Sequence, residues 1–153
     1  MQIIQEPTGA TVQLELISVV EMDRAKEFLA NYDFAYIFYR LVQVDKWSRK
    51  SARKILQQYK NFLFLQKKYG LQHLIIPSLE IDAVWHAHIL HTKDYAEFCQ
   101  EFFGRFLHHV PQKPGVEESA VKINADFKLT QELYKNEFGD YIYRVKKRPL
   151  FGW

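Results

Sequence analysis

Residues 78–104 read Ser78-Leu79-Glu80-Ile81-Asp82-Ala83-Val84-Trp85-His86-Ala87-His88-Ile89-Leu90-His91-Thr92-Lys93-Asp94-Tyr95-Ala96-Glu97-Phe98-Cys99-Gln100-Glu101-Phe102-Phe103-Gly104. The stretch opens on a serine, whose hydroxyl suits the unpaired N–H groups of a first helical turn, and it closes on a glycine. Glu80 and Asp82 fall where the helix dipole favours negative charge. On a wheel of about 100° per residue, Ile81, Val84, Trp85, His88, Thr92, Tyr95, Cys99, Phe102 and Phe103 lie on one side. Lys93, Asp94, Glu97 and Glu101 lie on the other. One amphipathic helix over 79–103 is predicted, with His88 and a buried Trp85 inside its apolar face. Such a face needs other helices to cover it.

The flanking sequence supplies them. Upstream, Ile55, Leu56, Tyr59, Phe62, Leu63 and Leu65 mark a helix over 48–69, with Lys67, Lys68 and Gly70 as its exit. Before it, Asp23 and the recurrence of Phe28, Leu29, Tyr32 and Tyr36 predict a helix over 23–44, apolar on most sides. Downstream, 104–116 reads as a loop and 117–138 as a helix, with Phe127, Thr130, Leu133, Tyr134 and Phe138 inward and Gly139 at its end. The period-two run Thr11-Val12-Gln13-Leu14-Glu15-Leu16 predicts an extended arm over 1–22, and 141–153 forms an aromatic and basic tail. The expected architecture is mainly α: a single domain over 1–153, a bundle of four principal helices with an extended N-terminal arm and a helical core over 23–140.

Composition agrees. The chain has 153 residues, 48% of them apolar, 25% charged and 16% aromatic, which suits one well-filled core. A single cysteine, Cys99, excludes a disulfide framework and any zinc site built on paired cysteines, and its place on the apolar face marks it as an inert buried thiol. The N-terminus has no basic region followed by an apolar run, and no stretch is long and apolar enough to span a membrane, so a cytoplasmic protein is expected. The formal charge is +3. Neither a Walker-type phosphate loop nor a G-x-G-x-x-G or G-x-S-x-G motif is present.

The histidines cluster on the decisive stretch. Asp82 and His86 are four residues apart, so their side chains meet on the flank of the helix. His108-His109 follows in the loop. Two chemical readings are open. In one, Asp82 and His86 are metal ligands and His108 or His109 is the third, which suits zinc or iron and leaves a position for water and metal-dependent catalysis. In the other, Asp82 orients His86 as a general base or as part of a polar-ligand site with Trp85 and His88. Against both stands a plain structural account: His88 as a hydrogen-bonded core histidine, Asp82–His86 as a helix-stabilising pair, and His108-His109 as loop residues. His88→Phe is expected to be tolerated provided it leaves no hydrogen-bond partner unpaired.

Two further functions rest on other segments. The tail residues Tyr141, Tyr143, Phe151 and Trp153, with Lys146, Lys147 and Arg148 among them, suit a non-catalytic interaction module for a protein partner. Lys46, Arg49, Lys50 and Arg53 form a stripe for phosphates with Trp47 to stack; nucleic-acid binding through 46–54 ranks third.

The run from Pro77 to Leu90 resembles the signature of the glycine-rich domain-containing-protein-like family, a former domain of unknown function, roughly P-S-x-x-[IV]-D-x-[IV]-W-H-x-H-x-L. The likeness extends through Tyr95, Cys99, Phe103-Gly104-Arg105, His108-His109 and Pro111, and covers about residues 50–140. Plant members carry a long glycine-rich region; with 6 glycines, this chain resembles a minimal version of the N-terminal domain. The resemblance implies that Asp82, Trp85 and His86 belong together.

Overall fold

Each predicted start and stop on the decisive stretch is met by the backbone. Ser78 Oγ accepts from Ile81 N at 3.1 Å, and Gly104 ends the stretch in the left-handed region at φ 69°. The computed structural model describes the backbone over 9–111 and 120–148, and side chains over 18–111 and 121–148. It contains α1 (Gly9–Asn31), α2 (Ala35–Gln43), α3 (Arg49–Tyr69), α4 (Leu79–Leu90), α5 (Thr92–Phe103) and α6 (Ala120–Phe138). No strand occurs among the described residues, so the fold is all-α.

The four expected helices become six because two of them break, and the arm is itself helical and continuous with the first. Residues 9–22 belong to α1 and are not an extended arm; residues 1–8 lie outside the described residues. A lone strand would leave its backbone groups without a ladder, whereas a helix pairs them internally, and Leu, Glu, Gln and Met favour it. The predicted 23–44 helix stops at Asn31 and restarts at Ala35, where Asp33 Oδ1 accepts from Ala35 N at 2.9 Å. The predicted 79–103 helix breaks at His91, whose Nδ1 hydrogen-bonds Ala87 O at 2.9 Å. With no glycine or proline at this point, the break left no mark in the sequence.

The chain divides into two compact units between Tyr32 and Asp33: α1 lies in the first, α2–α6 in the second. In the second unit, α3 is central and packs against α2, α4 and α6. Phe62, Leu63, Phe64 and Leu65 are all buried, a full turn with no solvent side. Gly70 ends α3 with φ −65°, not in the left-handed conformation expected of it. A Cβ there would stand 2.3 Å from Gln66 O, so space and not backbone freedom calls for glycine. Lys67, expected only as a charge at the α3 exit, donates from Nζ to Phe102 O at the end of α5.

α6 places Thr130 and Tyr134 inward as expected, with Phe127, Leu133 and Phe138 half-buried. Glu137 joins it to α3 by accepting from Lys68 Nζ and Tyr69 Oη. Beyond Gly139 the chain folds back. Gln131 brackets Ile142 by accepting from its N–H at 2.7 Å and donating to its carbonyl at 3.0 Å, and Gln58 Nε2 donates to Tyr143 O at 3.1 Å. Ile142 and Val145 are buried, so this part of the tail seals the unit's own core. Residues 149–153, including Phe151 and Trp153, lie outside the described residues.

Candidate metal centre

Asp82 sits one turn into α4 and His86 one turn further. Asp82 Oδ2 stands 3.5 Å from His86 Nε2, the predicted i, i+4 pair. The other oxygen, Oδ1, accepts from His109 Nε2 at 2.6 Å. The rings of His86 and His109 are 4.7 Å apart. Donor atoms from all three residues lie within 4.8 Å of one another. His109 is therefore the loop residue that joins the α4 pair. His108 is not: it is exposed and packs its ring on Phe106 at 4.8 Å, as residues two apart in extended chain share a side while adjacent ones, His108 and His109, point to opposite sides.

A relay of buried groups holds His109 in place. Trp85 Nε1 donates to Tyr95 Oη at 3.0 Å, and Tyr95 Oη donates to Leu107 O at 2.5 Å, two residues before His109. The His109 ring then packs edge-on against Trp85 at 4.4 Å. Trp85 thus works from behind the site; it is 6% exposed, as the wheel required. Burial pushes the Tyr95 hydroxyl well above the usual phenol range, so it stays a protonated donor.

His88, expected in the ligand-binding set or in the core, is fully buried and points away from Asp82. Its Nδ1 hydrogen-bonds Tyr59 Oη at 2.7 Å and its Nε2 hydrogen-bonds Tyr36 Oη at 2.9 Å. A neutral imidazole suits this arrangement, giving one proton and accepting another. Burial, with a smaller effect of His91, lowers its pKa to about 3. His88 belongs to the core and not to the site. Its two tyrosine partners also remove the condition under which His88→Phe was expected to be harmless.

Cys99 is buried, and that burial raises its thiol pKa and favours the protonated thiol. Trp47 is 6% exposed and cannot stack on a base, which corrects the aromatic half of the nucleic-acid reading; Lys46, Arg49, Lys50 and Arg53 remain exposed. Among the described residues no helix is long and apolar enough to cross a membrane. The residues sequence reasoning missed are Tyr95 and Leu107 as placers of the loop. Their signal, a tyrosine one turn beyond a break the sequence did not mark, was not readable.

The comparisons with known proteins agree with the resemblance drawn from the sequence. The UCP032817-like family model matches residues 24–135. Glycine-rich domain-containing protein 1 of Arabidopsis thaliana is 23% identical over 142 residues, 86% of this chain and 17% of that protein. Glycine-rich domain-containing protein 2 of the same plant is 24% identical over 111 residues, 71% of this chain and 14% of that protein. The chain therefore spans less than a fifth of the length of these relatives. No solved structure matches.

Proposed function

The chain belongs to the UCP032817-like family, and we propose that it binds a divalent transition metal, zinc or iron, through Asp82, His86 and His109. The observation that carries this reading is the convergence of two imidazoles and a carboxylate, with donor atoms within 4.8 Å of one another. Two nitrogens and one oxygen are a donor set that zinc and ferrous iron both accept, and three protein ligands leave a position for water. His86, with 55% of its side chain exposed, keeps that position open to solvent. An ion held this way supplies Lewis acidity to whatever enters.

The spacing needs adjustment, since the three donor atoms spread over up to 4.8 Å. Bonds of about 2.0–2.1 Å in a tetrahedral site put ligand atoms about 3.3 Å apart. The 3.5 Å between Asp82 and His86 already fits. The 2.6 Å between Asp82 and His109 is the length of a hydrogen bond and must open. With the ion at His109 Nε2, the neutral ring carries its one proton on Nδ1; protons compete with the metal for imidazole and carboxylate, so binding weakens as pH falls.

The test uses tag-free protein. Elemental analysis should find roughly one zinc or iron per chain, and the metal at a hundredfold excess over its Kd should add about 2.7 kcal/mol of stability. His86→Phe should keep the helical circular dichroism and lose both effects. Trace metal only, with no shift in Tm on adding either ion, would end this reading.

A further inference from the structure

α4 is apolar on two sides. Ile81, Val84 and Trp85 form its buried face. On the other side, Leu79, Ala83, Ala87 and Leu90 step along the helix and floor an open groove of about 500 Å³, with Trp47 and Val145 beside them. Leu79 is 87% exposed and Leu90 62%. Two open leucines on one stripe of a helix whose opposite face is buried mark a binding surface. The alanines between them form a trough about 16 Å long, at about 1.5 Å per residue.

The rim gives the sign of the occupant. Arg40, Arg144, Lys146 and Lys147 line the groove against only Asp45 and Glu80, a surplus of cations. The two ion pairs there are loose: Arg144 Nε to Glu80 Oε1 is 3.7 Å and Arg40 Nε to Asp45 Oδ2 is 3.9 Å, both beyond a hydrogen bond. Arg40 Nε is also a buried donor with no hydrogen-bond partner among the described residues. Buried donors are normally satisfied, so this one asks for an acceptor. The volume falls within the roughly 300–1,000 Å³ of small-molecule sites.

We infer that this groove binds a small amphipathic organic anion, a carboxylate on an aliphatic body. The carboxylate lies among Arg40, Lys146 and Lys147, and the body follows the Leu79–Leu90 stripe. His86 lines the same groove, which puts the ligand beside the proposed metal centre. That the anion is that centre's substrate rests on the metal reading; its binding to the groove does not require the ion.

The experiment uses the full chain stripped of metal with a chelator. Dodecanoate and, as an opposite-charge control, dodecyltrimethylammonium are titrated below their micelle concentrations by calorimetry and by displacement of an anilinonaphthalene sulfonate dye. Dodecanoate should bind at least about tenfold more tightly than the cation, because rim charge selects the sign of a ligand. Ala83→Trp, which fills the trough, should abolish binding. Lys146→Glu with Lys147→Glu, both exposed, should weaken it about tenfold while Tm stays unchanged. Equal binding of the two amphiphiles, dodecanoate binding untouched in both variants, or no dodecanoate binding with capture of an acidic amphipathic peptide would each overturn the inference. Since no metal is present, a failed metal titration leaves these outcomes readable, and the reverse holds too.

Discussion

His88 carries the largest residue-scale consequence. It is held neutral between Tyr36 and Tyr59, with a pKa near 3 against the usual 6.5. Above pH 6.5 folded and unfolded chains both hold it neutral, and its contribution to stability is fully present. As pH falls from 6.5 towards 3, the unfolded chain takes up a proton that the folded chain refuses. Stability is lost across that window, by up to roughly 4–5 kcal/mol at the acid end. Urea denaturation at stepped pH should show this slope, and His88→Phe should flatten it. That variant should itself cost about 1–3 kcal/mol near neutrality, since it removes the imidazole that Tyr59 bonds in the core. At the candidate site, Asp82→Asn should weaken metal binding nearly as much as His86→Phe, because Asp82 faces both imidazoles; a loss of only about 10–100-fold would make it an orienting residue. The Asp82–His86 pair was legible from a four-residue step. The choice of His109 over His108 was not, because an extended loop gives no period that says which neighbour turns inward.

At the scale of the element, one hydroxyl ties the 104–111 loop to both α4 and α5. Tyr95 on α5 joins Trp85 on α4 to Leu107 in the loop. Tyr95→Phe keeps the ring in the core and removes both bonds. It should cost about 1–3 kcal/mol and weaken metal binding about tenfold by freeing His109, a loss that the unchanged ligands themselves would not explain. Equal metal affinity in the variant would mean that the loop is held by other contacts. Trp85→Ala removes the wall behind His109 as well as a buried indole, and should cost about 3–5 kcal/mol in thermal or denaturant melts. The break at His91 matters in the same way. It starts a second helix, α5, whose Tyr95 ring lies 4.9 Å from His88. The apolar positions on either side of the break were readable on a wheel; the bend between them was not, because the capping imidazole of His91 resembles any other polar residue on a helix.

At the scale of the whole molecule, Ile142 and Val145 of the tail belong to the core. Ile142 and Val145 are buried and Gln131 brackets Ile142 on both backbone groups. Ile142→Ala with Val145→Ala should lower stability by about 2–5 kcal/mol, which chemical denaturation measures directly. A loss under about 0.5 kcal/mol would return the tail to the role of a free interaction segment. The sequence by itself determined the helical class, most of the apolar positions that pack inward, the cap at Ser78, and the pairing of Asp82 with His86. All of these depend on the helical repeat and on local hydrogen bonds, which residues a few positions apart settle among themselves. Tertiary structure alone decided that His109 meets Asp82 from 27 positions away, that Trp47 is covered, and that two helices break. Those outcomes depend on which surfaces meet when the elements pack. Sequence spacing along a chain does not encode that, because a loop reaches many places and only the packed faces select one.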